Sequence, residues 1–165
     1  RRPELVPVVA KALQDYGIAA DRLEFEITES IMISENEDAQ RNLRLLRELG
    51  VALAIDDFGT GYASISYLRR MPVNKIKIDR SFVREVESDP GARAIVRAVA
   101  ALGHSFYVTV VAEGIERAEQ VNHLESLGCD VGQGYYFARP LPGDELAAWA
   151  AEQYRSLPGA LRAAR

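Results

Sequence analysis

Val51-Ala52-Leu53-Ala54-Ile55-Asp56-Asp57-Phe58-Gly59-Thr60-Gly61-Tyr62 decides the fold. A short, wholly apolar run after Gly50 predicts a strand over residues 51–55, and two acids stand at its end. The same arrangement recurs along the chain. Leu23-Glu24-Phe25-Glu26-Ile27-Thr28-Glu29 ends in acids, and Ile76-Lys77-Ile78-Asp79 carries a lysine and an aspartate. Val108-Thr109-Val110-Val111-Ala112 runs into Glu113, with Glu116 just beyond, and Cys129-Asp130-Val131-Gly132 is followed by Gln133. A helical pattern separates each run from the next. Strands that alternate with helices form a parallel sheet, and parallel βα units carry their sites at the C-terminal ends of the strands. Five strand ends, four of them bearing acids, therefore converge on one face. That is the outline of a divalent-metal site.

The 165 residues are 48% hydrophobic, enough for one domain with a real core. No apolar run is long enough to cross a membrane, so no membrane contact is expected from this segment, and no signal-peptide pattern is present. The chain opens on Arg1 rather than methionine, as expected of part of something longer. The single cysteine, Cys129, excludes an internal disulfide and fits a reducing compartment such as the cytoplasm. It falls on a predicted strand, where a small buried hydrophobe is the expected role. A net charge of −4 argues against a nucleic-acid polymer as partner, but not against a small phosphorylated ligand neutralised by a metal.

Residues 3–16 predict an amphipathic helix with Leu5, Val8, Val9 and Leu13 on one stripe, ended by Gly17. The first strand is predicted over 23–28. A second helix follows over 36–49, with Leu43, Leu46 and Leu49 buried and Arg41, Arg44 and Arg47 solvated. Further on, the pattern predicts a short helix over 63–70, a strand over 75–78, a helical turn over 80–87 and a helix over 91–102. It continues with a strand over 107–112, a helix over 117–127 and a short strand over 129–132. Residues 135–142 read as an extended loop, and Asp144 as the N-cap of a helix over 145–154. Residues 157–165 read as a frayed tail.

Each candidate has a plainer reading beside the functional one. Adjacent strand residues point to opposite faces, so Asp56 and Asp57 reach one cation only where the chain bends; the alternative is a cap or a solvated turn. Glu24 and Glu26 share a strand face, and alternation alone does not say which acid among Glu24, Glu26 and Glu29 faces inward. Lys77, inside a strand, needs an anionic partner if buried, or else points to an open edge. Beside carboxylates and phosphate it would neutralise charge or hold a water. Glu116 serves equally as a cap for the helix after it, and Gln133 as a turn residue. Gly59-Thr60-Gly61 lacks the spacing of a phosphate-binding loop. His104 and His123 have no metal-ligand spacing and read as structural or surface residues.

Five blocks carry a family resemblance. Glu26-Ile27-Thr28-Glu29-Ser30, Asp56-Asp57-Phe58-Gly59-Thr60-Gly61-Tyr62 and Lys77-Ile78-Asp79-Arg80-Ser81-Phe82-Val83 are the first three. Val111-Ala112-Glu113-Gly114-Ile115-Glu116 and Gln133-Gly134-Tyr135-Tyr136-Phe137-Ala138-Arg139-Pro140 are the others. In this order they resemble the signature blocks of the EAL domain, a family of bacterial cyclic di-GMP phosphodiesterases. The resemblance implies an α/β fold, a TIM-like (β/α) barrel with one antiparallel strand, and hydrolysis of cyclic di-GMP to linear pGpG with two Mg²⁺ or Mn²⁺ ions. It implies Glu26, Asp56, Asp57 and Glu113 as metal ligands, with Asp56 bridging. It implies Lys77 near the attacking water, and Glu116 and Gln133 as its further holders. Glu29 resembles the anchor of the loop over 58–64, which couples dimerisation to metal binding, and Phe137, Arg139 and Pro140 fall in a segment that contacts guanine. A homodimer and an upstream sensory or GGDEF-type domain are the implied partners.

The chain departs from that pattern. No Glu-Ala-Leu motif occurs in it, and the family's asparagine ligand is missing as well. Ala63 stands where serine is common and Asn74 where aspartate is common. A complete barrel runs to about 250 residues and eight strands. Residues 1–156 are therefore expected to be the C-terminal portion of an EAL domain, an incomplete barrel of about five parallel strands whose open edges invite pairing in a dimer. The alternative function is a catalytically inactive module that binds cyclic di-GMP or a protein partner.

Overall fold

The computed structural model describes residues 5–29, 31, 36–61, 68 and 73–156. The predicted helix over 63–70 falls almost wholly outside them, as do the tail over 157–165 and residues 3 and 4. Helices α1 (Leu5–Tyr16), α2 (Glu37–Glu48), α3 (Arg80–Glu85), α4 (Pro90–Ser105), α5 (Ala118–Leu127) and α6 (Gly143–Ser156) alternate with strands β1 (Glu24–Thr28), β2 (Ala52–Phe58), β3 (Lys75–Ile78), β4 (Thr109–Glu113) and β5 (Val131–Gln133). The strands form one sheet in sequence order, β1-β2-β3-β4-β5, and every neighbouring pair is parallel. No helix among the described residues is long and apolar enough to cross a membrane.

Register divides the sheet into two unlike faces. Ile27, Ile55, Ile76 and Val110 follow one another across β1 to β4, and Ile78, Ala112 and Gly132 continue that face across β3 to β5. Alternation puts Glu24, Glu26, Lys75, Lys77 and Glu113 on the opposite face. The apolar face carries the main core. Leu53, Ile55, Ile76, Ile78 and Val110 are fully buried there with Val83, Val86 and Val96 of the α3–α4 region. A smaller cluster of Val9, Leu46 and Val51 joins α1 and α2 to the start of β2.

Local chemistry fixes the joints. Asn36 caps α2, its Oδ1 accepting from the Asp38 and Ala39 N–H groups, and Asp89 does the same for α4 through Gly91 and Ala92. Asn74 extends the sheet below β3, its Oδ1 accepting the Leu53 N–H at 3.0 Å and its own N–H reaching the Leu53 carbonyl at 2.8 Å. Gly134 is held to its lack of a side chain, because a Cβ there would lie 2.1 Å from the Ile115 carbonyl oxygen.

Several boundaries differ from the sequence reading. Strand β2 continues through both aspartates to Phe58, β4 begins at Thr109, and β5 begins at Val131, so Cys129 precedes it. Tyr107 is a left-handed turn residue with φ 58°, 98% exposed, rather than a strand start. Asp144 lies inside the first turn of α6 instead of capping it, since the helical bond from Leu146 N–H to Pro142 O starts the helix earlier. Val8 and Leu49, expected on buried stripes, are exposed: Val9 and Val6 take the contact in α1, and Leu49 sits at the C-cap of α2.

Candidate metal centre

Lys77 organises the charged face. Its side chain is almost wholly buried, yet it comes from the middle of the sheet, where water cannot solvate an ammonium. Three carboxylates from three strands surround it instead. Nζ lies 2.5 Å from Glu26 Oε1 of β1, 3.1 Å from Asp56 Oδ1 of β2 and 2.8 Å from Glu113 Oε1 of β4. Small residues make this reach possible. Ala54 of β2 stands between Glu26 and β3, so a β3 lysine can cross it to β1. One step lower on the same face, Lys75 meets Glu24 at 2.8 Å. Glu24 and Glu26 thus both lie on the charged face, each answered by a lysine.

A bulge brings Asp57 to the same place. Ile55 pairs with Ile76 and Phe58 with Ile78, so β2 carries one residue more than β3 between those pairs. The extra residue falls at Asp56-Asp57, where Asp57 takes φ 52°. The two acids therefore converge within a strand, not at its terminus as the sequence suggested. Oxygens of Asp56, Asp57 and Glu113 lie within 4.8 Å of one another.

Electrostatics follow from crowding. Burial is the largest influence on Glu113 and raises its pKa; Lys77 pulls it down, but Asp56 and Glu26 push with burial, and the net direction is up. Asp57 is also raised, by burial first and then by Asp56 and Asp79. Burial alone would depress Lys77, but the carboxylates of Glu113, Glu26 and Asp56 beside it outweigh that, so this ammonium stays charged far above neutral pH.

The donor set fits a hard divalent cation. Carboxylate oxygens are the ligands such ions prefer. Asp56 Oδ1 is buried with no hydrogen-bond partner in spite of its ion-pair distance to Lys77, so it retains an unsatisfied lone pair.

Glu29 lies just past β1, 5% exposed. Its Oε2 accepts the Gly59 N–H at 3.3 Å, and a Cβ on Gly61 would lie 2.5 Å from its Oε1. The carboxylate is thus packed into the glycine loop, of which residues 62–64 fall outside the described set. Gln133 ends β5 beside Glu113 in register, exposed. Glu116 is exposed on the next turn, and it does not cap α5. That task belongs to Gln120, 1% exposed, whose Oε1 accepts the Glu116 and Arg117 N–H groups while its Nε2 donates to Val83 O. Phe137 and Arg139 are exposed beyond β5, with the Arg139 guanidinium 4.9 Å over the Tyr135 ring and Phe137 edge-on to Tyr136; Pro140 is exposed after them. Neither histidine approaches the site. His104 Nε2 pairs with Asp130 Oδ1 at 3.0 Å, whose other oxygen takes the Val110 N–H. The Cys129 thiol is pushed up to about 11 by burial and then Asp130, which makes it unreactive.

Sequence reasoning missed two neighbours. Asp79, already counted among the strand-end acids but given no role there, interacts with Asp57 while capping α3 through the Ser81 N–H. The Glu24–Lys75 pair gave only the alternation of charge as a cue.

A family model described as EAL domain matches residues 1–140. The bifunctional diguanylate cyclase/cyclic di-GMP phosphodiesterase MucR of Pseudomonas aeruginosa is 40% identical over 144 residues, 87% of this chain and 21% of that protein. The chain thus spans about a fifth of that relative's length. The solved EAL domain of Mycobacterium smegmatis DcpA superposes with TM-score 0.83 at 40% identity, over 90% of this chain and 67% of that one. The manganese/cy-diGMP complex of Klebsiella pneumoniae BlrP1 gives TM-score 0.78 at 37% identity, over 84% of this chain and 35% of that one.

Proposed function

The chain belongs to the EAL domain family, and from that premise we propose that its charged sheet face is part of a divalent-metal centre that hydrolyses cyclic di-GMP to linear pGpG. The observation that carries this reading is the meeting of Glu26, Asp56 and Glu113, from three parallel strands, around one buried lysine, with Asp57 beside them. Carboxylates from separate strands repel one another unless a cation compensates them.

Glu26, Asp56, Asp57 and Glu113 are the residues to hold Mg²⁺ or Mn²⁺. Bound there, the ions supply a nucleophile at neutral pH and stabilise charge on the phosphodiester. In the reaction water adds to phosphorus, the P–O3′ bond breaks, and the departing 3′ oxygen takes up a proton. Lys77 contributes a fixed positive charge that faces the developing negative charge. Glu116, beyond β4, and Gln133, at the end of β5, orient water. Glu29 anchors the glycine loop. Phe137, Arg139 and Pro140 receive guanine, for which an arginine held on a tyrosine face is a planar donor. The reading extends to a homodimer, to the cytoplasm and to a sensory or GGDEF-type domain elsewhere in a longer protein.

The test is product analysis. Incubation of the purified chain with cyclic di-GMP and Mn²⁺, followed by chromatography, is expected to yield pGpG, and Glu113→Gln to lower the rate about 100-fold or more. Dinucleotide binding without product in either protein contradicts catalysis and favours the non-catalytic module.

A further inference from the structure

The ammonium of Lys77 touches three of the four residues assigned to the metal, Glu26, Asp56 and Glu113. It lies 3.1 Å from Asp56 and 2.8 Å from Glu113, while Asp56, Asp57 and Glu113 are the three residues whose oxygens meet closely enough to share an ion. The same carboxylates are therefore claimed twice. We propose that Lys77 is a resident counter-cation of the cradle, which holds Glu26, Asp56 and Glu113 together in the metal-free protein and competes with a divalent cation for Asp56 and Glu113. The inference rests on the metal-centre reading above.

Three observations converge on it. The first is geometry: three carboxylates on three strands surround the ammonium at 2.5, 3.1 and 2.8 Å. The second is burial. With 5% exposure Lys77 has no aqueous alternative, whereas Glu26 keeps a half-exposed side chain. The lysine is thus fixed by the sheet, and the acids gather around it. The third is imperfect satisfaction. Asp56 Oδ1 is buried and accepts no hydrogen bond although Lys77 is close, so one ammonium does not saturate the cluster. Among the described residues no other cation pairs with these three acids. Lys75, the next lysine on this face, pairs with Glu24 instead.

The consequence is a trade between assembly and affinity. Without a cation the acids repel one another across β1, β2 and β4, and the charged face loosens before any metal arrives. With Lys77 in place the cradle is assembled in advance, but an incoming dication meets a positive charge a few ångströms away. Even with the screening of bulk water, a dielectric of about 80 and a separation of about 6 Å, that repulsion weakens binding by roughly tenfold.

Lys77→Met separates the two effects, because methionine keeps the length and loses the charge. In the full chain without metal, its melting temperature is expected to fall by about 5–10 °C. At pH 8, Mn²⁺ titration by calorimetry is expected to show about tenfold tighter binding than wild type, with unchanged stoichiometry. Equal or weaker Mn²⁺ binding by a folded Lys77→Met overturns the competition, and an unchanged metal-free melting temperature overturns the assembly role. Wild type that takes up no Mn²⁺ at millimolar concentration overturns the metal-centre reading itself, and the competition with it. If the variant does not fold, ¹⁵N-lysine NMR of wild type decides, with Lys77→Arg for assignment. A protected Lys77 ammonium signal that shifts on adding Mg²⁺ supports the proposal, and one that stays unmoved at saturation contradicts it.

Discussion

The two faces of the sheet are made from the same strands, yet they obey different rules. On one, Leu53, Ile55, Ile76, Ile78 and Val110 pack against helices and exclude water completely. On the other, four carboxylates, those of Glu24, Glu26, Asp56 and Glu113, share two lysines in ion pairs of which most members remain partly exposed. The apolar face gains free energy from every side chain it buries. The charged face gains little, since desolvation offsets much of each ion pair. Apart from the buried Lys77 at its centre, the charged face therefore contributes little stability, which belongs to the helix-covered face, while chemistry belongs to the charged one. The bulge at Asp56-Asp57 lies on the border: within three residues β2 passes from buried Ile55 to two acids that share a cluster.

Two substitutions probe that division. Ile76→Ala removes a fully buried side chain from the centre of the apolar face. It is expected to cost about 2–5 kcal/mol in urea unfolding and to leave Mn²⁺ affinity close to wild type in the folded fraction. A cost below about 1 kcal/mol would break the comparison from its apolar side. Lys75→Met acts on the charged face one layer below the centre, where the Glu24 pair is partly solvated. Its effect on stability is expected to stay within about 1 kcal/mol. A loss as large as that of Ile76→Ala would show that the charged face bears stability too.

Much of this division was legible in the sequence. Short apolar runs ending in acids are local signals, and five strands, their parallel sense and the acidic rim follow from them. Register is not local. Nothing in Glu24-Phe25-Glu26 says that a lysine two strands away will reach across Ala54 to meet Glu26. The bulge escaped for a similar reason: whether two adjacent acids end a strand or kink it depends on the partner strand, which places Phe58 opposite Ile78. Gln120 escaped because a polar residue in a helical pattern reads as solvated. Its burial is decided by the N–H groups of Glu116 and Arg117, which its Oε1 satisfies at the start of α5, and by the carbonyl of Val83 at a distant helix end. His104, read as a structural or surface residue, takes as its partner Asp130, which the chain supplies only after α5.

The most direct test of the metal centre is Mn²⁺ uptake by the full chain at pH 8, read from the loss of the free-ion EPR signal, in wild type and in Asp56→Asn. Asp56, like Glu113, offers an oxygen to both the lysine and the acidic cluster, so the centre depends on its charge. The account predicts saturable uptake by wild type and at least about tenfold weaker uptake by a folded Asp56→Asn. Equal uptake by both proteins, or none by wild type, would contradict it.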